Sequence, residues 1–159
     1  MTQFFEDICI GDVLDIGVHT FSPEEIIRYA EKFDPQPYHL SEEAAQQTHF
    51  GRLCASGWHT ASIYMRLLVL KNQEIERAAR QRGAPIALIG PSPGLEELKW
   101  RLPVFAGDTI SYKRCVSGKT ESRSRPDWGI VHGENHGTNQ NGETVFSFKS
   151  NVFVQRSPR

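Results

Sequence analysis

Hydrophobic positions change their spacing twice along this chain. Residues 8 to 21 hold a Gly11-Asp12 turn signal and then Val13, Leu14, Ile16 and Val18, a pattern that predicts a first strand. Helix chemistry follows at Ser22-Pro23-Glu24-Glu25. Ser22 can accept from first-turn amides, Glu25 can reach back, and Pro23 suits the first helical position. Ile26, Ile27, Tyr29 and Ala30 carry this helix to about Phe33, where Pro35 denies Asp34 the helical conformation. Pro37 does the same to Gln36, so Asp34 to Tyr38 reads as a rigid, extended or turn-rich segment that excludes a helix. Ser41-Glu42-Glu43 provides an N-cap and an acidic first turn for a second short helix.

Residues 57 to 70 are apolar on most sides, with one narrow polar stripe of His59, Ser62 and Arg66. Such a helix is expected to be buried and surrounded by other structure, whereas the charged residues 71 to 84 should face solvent. After Pro85 the period becomes two. Glu96, Leu98, Trp100, Leu102 and Val104 predict a half-buried strand, and Ile110, Tyr112 and Val116 share one face of the next. Residues 117 to 127 are polar and basic, an expected hairpin or loop. Trp128 to Thr138 forms another strand, and Asn141-Gly142 signals a type I′ turn into Phe146, Phe148, Val152 and Val154. Helices and strands do not alternate, which argues against a parallel α/β sheet. The pattern predicts an α+β fold, one domain over residues 1–159, with an antiparallel sheet wrapped around a central helix.

Composition narrows the function more than the fold. Hydrophobic residues at 38% and charged residues at 23% are ordinary for a folded soluble protein. The three cysteines, Cys9, Cys54 and Cys115, are widely spaced and form no CxxC pair, which suits a reducing cytosol rather than a disulfide framework. A net charge of −1 gives no basic field for nucleic acid or an anionic membrane. Met1 to Asp7 lacks the basic and apolar regions of a signal peptide. The apolar run Ile63 to Leu70 is interrupted by Arg66 and too short to span a bilayer, so a cytoplasmic location is expected.

Asp34-Pro35-Gln36-Pro37-Tyr38-His39 is the sharpest candidate for chemistry. A bent segment can aim the carboxylate and the imidazole into one pocket, and the prolines lower the entropy cost of holding them. Histidine titrates near neutrality and aspartate can act as a base or hold a water, so the pair suits water addition or removal. The plainer alternative makes Asp34 a helix-end cap and His39 a turn residue. Ala55-Ser56-Gly57 opens the apolar helix, where a free Gly57 amide could stabilise a developing oxyanion. Its plainer alternative has Ser56 as an N-cap and Gly57 as a close-packing residue.

Together these residues resemble the MaoC-like dehydratases, the family that includes R-specific enoyl-CoA hydratases. The family's D-x-N-P-x-H motif is matched by Asp34 to His39, and its glycine at the start of the central helix by Ser56-Gly57-Trp58. The resemblance continues through Pro93 to Leu98, Trp100, Pro103-Val104 and Gly107-Asp108, and so covers most of the chain. It implies a hotdog fold, at least a homodimer, acting on CoA or carrier-protein acyl thioesters without metal or other cofactor. It further implies that Asp34 and His39 activate water and exchange a proton with the α-carbon, and that Gly57 donates to the thioester oxygen. Ser62 falls where some relatives carry a pocket serine. Gln36 replaces the family's asparagine with a side chain one methylene longer, which bears on substrate range. Trp58 is bulkier than the family's usual apolar residue, and a pocket it narrows would favour short, branched or polar acyl groups.

The rival readings are a hotdog thioesterase and a non-catalytic acyl-thioester binding module. Residues 57 to 70 contain no acidic residue of the kind such thioesterases place on this helix. His132, Glu134 and His136 share one strand face, but their spacing matches no strong metal motif and an exposed polar face explains them more simply. Lys113, Arg114, Lys119, Arg123 and Arg125 could meet CoA phosphates or simply form a solvated face.

Overall fold

A computed structural model describes residues 3–158; Met1, Thr2 and Arg159, the ends of the span expected as one domain, lie outside them. A 3₁₀ turn at Phe5–Asp7 leads into strand β1 (Val13–Thr20). Ser22 caps helix α1 (Pro23–Phe33), its Oγ accepting the Glu25 N–H at 3.2 Å. The returning half of the expected capping box is diverted, because the Glu25 carboxylate bonds His19 Nε2 at 2.6 Å. A close imidazole partner competes well with a single backbone amide.

α1 ends at Asp34, as Pro35 requires. Beyond it the expectation of a helix-free segment fails. Pro37 opens a one-turn helix, α2 (Pro37–Leu40), because the first helical position needs no N–H and suits a fixed φ. Helix α3 (Glu42–Gln46) starts where Ser41 accepts the Ala44 N–H at 3.0 Å.

Helix α4 (Gly57–Gln81) is continuous through both the apolar and the charged stretch, 25 residues and about 37 Å long. Strands β2 (Gly94–Trp100), β3 (Thr109–Glu121), β4 (Trp128–Thr138) and β5 (Thr144–Gln155) complete one sheet. Its order is β1-β3-β4-β5-β2, with all neighbours antiparallel. β3 extends into the segment expected as a loop and leaves 122–127 as the connection. The β4–β5 connection is not a type I′ turn. Only Gly142 has positive φ there, at 82°, and its N–H bonds Asn139 O at 3.0 Å, whereas type I′ needs two such residues.

β2 departs most from its pattern. The register shifts between Glu96 and Lys99, with Glu97 at φ 51°, and the alternation is broken. Leu95, Trp100 and Leu102 are exposed, and Val104, beyond the strand, reaches the core. Ile110, Tyr112, Val145, Phe146 and Phe148 from the sheet pack on Ile63 and Tyr64 of α4. The helix is therefore buried on one side only. Trp58, Met65, Val69 and Leu70 are exposed, because a single sheet layer covers one face of a cylinder about 10 Å across. The polar stripe also splits: His59 is buried and stacked on Tyr29, while Ser62 and Arg66 stay outside. Among the described residues, no helix is long and apolar enough to cross a membrane.

Candidate active site

The two halves of the Asp34–His39 segment come together through the break between α1 and α2. Asp34 is the C-cap of α1, and His39 sits on α2 with its N–H bonded to Gln36 O at 2.9 Å. His39 is buried, and its Nδ1 lies 2.6 Å from Cys54 O. A carbonyl only accepts, so Nδ1 carries the proton and Nε2 of the neutral ring is the acceptor. That Nε2 faces Asp34 Oδ2 at 3.5 Å.

Asp34 is held from both sides. Ser56 Oγ donates to Oδ2 at 2.6 Å, and Gln36 Nε2 donates to Oδ1 at 2.8 Å. The Tyr38 hydroxyl donates to Gln36 Oε1, so the longer amide is locked rather than loose. Partial burial pushes the Asp34 carboxyl up, but the Ser56 and Gln36 donors and nearby His39 outweigh it and hold it below its ordinary value. Ser56 has a second duty, accepting the Trp58 N–H at 3.2 Å as the cap of α4.

A cavity of about 410 Å³ opens on this pair. Asp34, Gln36, His39, Gly57 and Trp58 all line it, together with Trp100, Arg101 and Val104. Gly57 is the first residue of α4, so its N–H has no intrahelical acceptor and lies at the positive end of the helix dipole. The glycine has a second reason. A Cβ at residue 57 would fall 2.5 Å from Cε2 and Nε1 of Trp100. Trp58 and Trp100 meet edge to face, with ring centroids 5.1 Å apart.

Ser62 is not brought to this cavity. Its hydroxyl turns back to Trp58 O at 2.7 Å and meets the Tyr29 hydroxyl at 3.2 Å. His132 is engaged at both nitrogens, by Asn151 Oδ1 at 2.6 Å and Thr120 Oγ1 at 2.8 Å. Among the described residues, no three His, Cys, Asp or Glu side chains are placed to hold a metal ion. Of the basic residues, Arg114 is buried and Lys119 Nζ bonds Ile8 O at 2.6 Å, so neither belongs to a solvated rim.

Sequence reasoning missed the Ser56–Asp34 bond, the Tyr38–Gln36 brace and the Trp100 wall. Ser56 had a visible signal, a hydroxyl directly before the Gly57 helix start. Trp100 had none, since its approach to Gly57 depends on how the edge strand packs against α4.

A family model described as MaoC like domain matches residues 10–133. The crystal structure of a MaoC-like dehydratase from Rhodospirillum rubrum is 38% identical, with a TM-score of 0.80 and 99% of each chain covered. The 3-hydroxybutyryl-CoA dehydratase of Methylorubrum extorquens (strain ATCC 14718 / DSM 1338 / JCM 2805 / NCIMB 9133 / AM1) is 29% identical over 123 residues, 77% of this chain and 69% of that protein. The protein YdeM of Bacillus subtilis (strain 168) is 34% identical over 64 residues, 40% of this chain, and the match spans 45% of its length.

Proposed function

This chain belongs to the MaoC-like domain family and has the hotdog fold, and from that premise we propose that it adds water to, or removes it from, the 2,3-bond of an acyl thioester. The observation that carries the reading is the pair of acceptors on one cavity wall, His39 Nε2 and Asp34 Oδ2, 3.5 Å apart, with Gly57 in the same wall. Two acceptors at that spacing can take both hydrogens of one water and leave its oxygen facing the substrate. In hydration the water oxygen bonds C3 and its proton passes to His39 Nε2. The electron pair of the double bond moves onto the thioester oxygen, where the Gly57 N–H stabilises it. The enolate then collapses as C2 takes the proton back from the imidazolium. Dehydration is the same path reversed, and it calls on no metal or other cofactor.

The substrate is an enoyl-CoA or related thioester, on CoA or a carrier protein, with a short acyl group. The Trp58–Trp100 pair and the name of the Methylorubrum relative support that size. One domain working in the cytoplasm as a homodimer completes the proposal. A second copy would cover the exposed apolar side chains of β2 and α4, including Leu95, Met65, Val69 and Leu70. No nucleic-acid or membrane partner is invoked.

Crotonyl-CoA and longer or branched enoyl-CoAs, followed by loss of enoyl-thioester absorbance, test the activity. Asp34→Asn and His39→Ala are each expected to slow it by about 10²–10⁴-fold, with no free thiol released. Thiol release would make the protein a thioesterase. Unimpaired rates in both variants would remove the proposed pair.

A further inference from the structure

Arg114 is the most unusual buried group outside the site described above. It alternates with Ile110, Tyr112 and Val116 on the β3 face turned toward α4, and only 5% of it is exposed. Its Nε and Nη2 are buried without a hydrogen-bond partner, and among the described residues no carboxylate lies within ion-pair distance of it. The nearby polar groups are committed elsewhere. Asn135 Oδ1 accepts the Tyr64 hydroxyl, and Asn135 Nδ2 serves Ser150 Oγ at 3.0 Å and two backbone carbonyls. The fold nevertheless makes room for the cation. Its pairing partner on β4 is Asn135, and two residues along that strand stands Gly133, where a Cβ would come within 3.0 Å of Arg114 Nε.

An unpaired buried charge costs several kcal/mol, and a guanidinium left without acceptors is rare in a finished structure. The same side chain also borders open space. Arg114 helps to wall a cavity of about 320 Å³ whose other sides are mainly Ile8, Val13, Leu14, Ile75 and Val116. Ile75 lies about 22 Å along α4 from Thr60 of the catalytic cavity, so the two spaces are separate. The only carboxylate on its wall among the described residues is Asp12, which is exposed and already accepts the Cys9 N–H at 2.8 Å. A charge of that sign at the rim disfavours a ligand with a second anionic group.

We propose that this pocket is a second binding site, which takes a small aliphatic monocarboxylate with its carboxylate on Arg114 and its chain against Leu14, Ile75 and Val116. Guanidinium and carboxylate match in a bidentate geometry, and the cavity lies at the lower end of the range for small-molecule sites. The site does not depend on the hydratase reading.

Calorimetric titration of the full chain with sodium hexanoate, hexan-1-ol and inorganic phosphate at matched ionic strength tests it. Hexanoate is expected to bind at least about tenfold more tightly than either control. Arg114→Met should weaken hexanoate at least about tenfold, and Asp34→Asn should leave it unchanged. Unliganded Arg114→Met should melt no lower than the parent, since it removes an unpaired buried charge. Ile75→Trp fills the cavity without touching the guanidinium and should also abolish binding, which keeps the test open if Arg114→Met does not fold. Absent hexanoate binding, equal binding in Arg114→Met or Ile75→Trp, or equal affinity for hexanol or phosphate would each overturn the proposal.

Discussion

The two halves of α4 bury polar groups on opposite terms. At its N-terminal end, Ser56, Asp34, Gln36, Tyr38 and His39 satisfy one another and the Cys54 carbonyl, so the arrangement stands complete within the chain. Farther along the helix, Arg114 is buried beside Tyr64 with two nitrogens unanswered. A network whose members hold each other is rigid before any ligand arrives, and its geometry is a property of the fold. A lone buried cation is the reverse: its environment is finished only by something from outside. Under the proposed function the first end is organised for reaction, and under the proposed second site the other is organised for occupancy.

The contrast breaks most severely at Gly57. In Gly57→Ala the new methyl meets the Trp100 indole, so either the ring or the start of α4 must move. Overpacking should cost about 1–3 kcal/mol of stability, and a displacement near 1 Å should lower turnover about 100-fold. Denaturant unfolding and enoyl-CoA kinetics would read both effects. Adding Trp100→Ala should recover part of the stability; no recovery would mean that the indole is not what the methyl meets.

His59 sharpens the comparison, because it is the exception within the well-partnered half. Its Nδ1 has no hydrogen-bond partner among the described residues, and its ring is stacked on Tyr29 at 4.4 Å. Burial, against the opposing pull of Glu25, lowers its pKa to about 4. The unfolded chain therefore binds a proton near pH 6.5 that the folded chain refuses until about pH 4. Stability is fully present above pH 6.5 and is lost as pH falls toward 4, by up to about 3 kcal/mol. His59→Phe should flatten that limb of the unfolding free energy against pH. An unchanged slope would show that the histidine is not its source.

The smallest expected effect belongs to Ser56→Ala. It removes the cap on the Trp58 N–H, worth about 1 kcal/mol, and a donor to Asp34. Since that donor lowers the carboxyl, its loss should raise the Asp34 pKa and move the acid limb of the activity profile to higher pH. A purely structural serine would lower stability and leave the profile where it was.

Much of the fold was written in local chemistry. Ser22 with Pro23, and Ser41 with Glu42, start helices because capping depends on a few neighbouring residues. The bounds of β4 and the alternation of Ile110, Tyr112 and Val116 likewise follow from the chain's own period. Pro37 misled because the same ring that bars a helix before it can open one after it. β2 misled because its bulge at Glu96–Lys99 resets the side-chain faces without a mark in the spacing.

By itself, then, the sequence determined where most helices and strands begin, that Asp34 ends α1 and that Gly57 begins α4. Those outcomes rest on interactions within a few residues of each other. Only the tertiary structure decided that Ser56 would reach Asp34, that Trp100 would press on Gly57, that His59 would turn inward, and that Arg114 would be buried without a partner. Each of these joins or separates groups far apart in the chain. Such distances are set by how the sheet curves against α4, and no local pattern encodes that curvature.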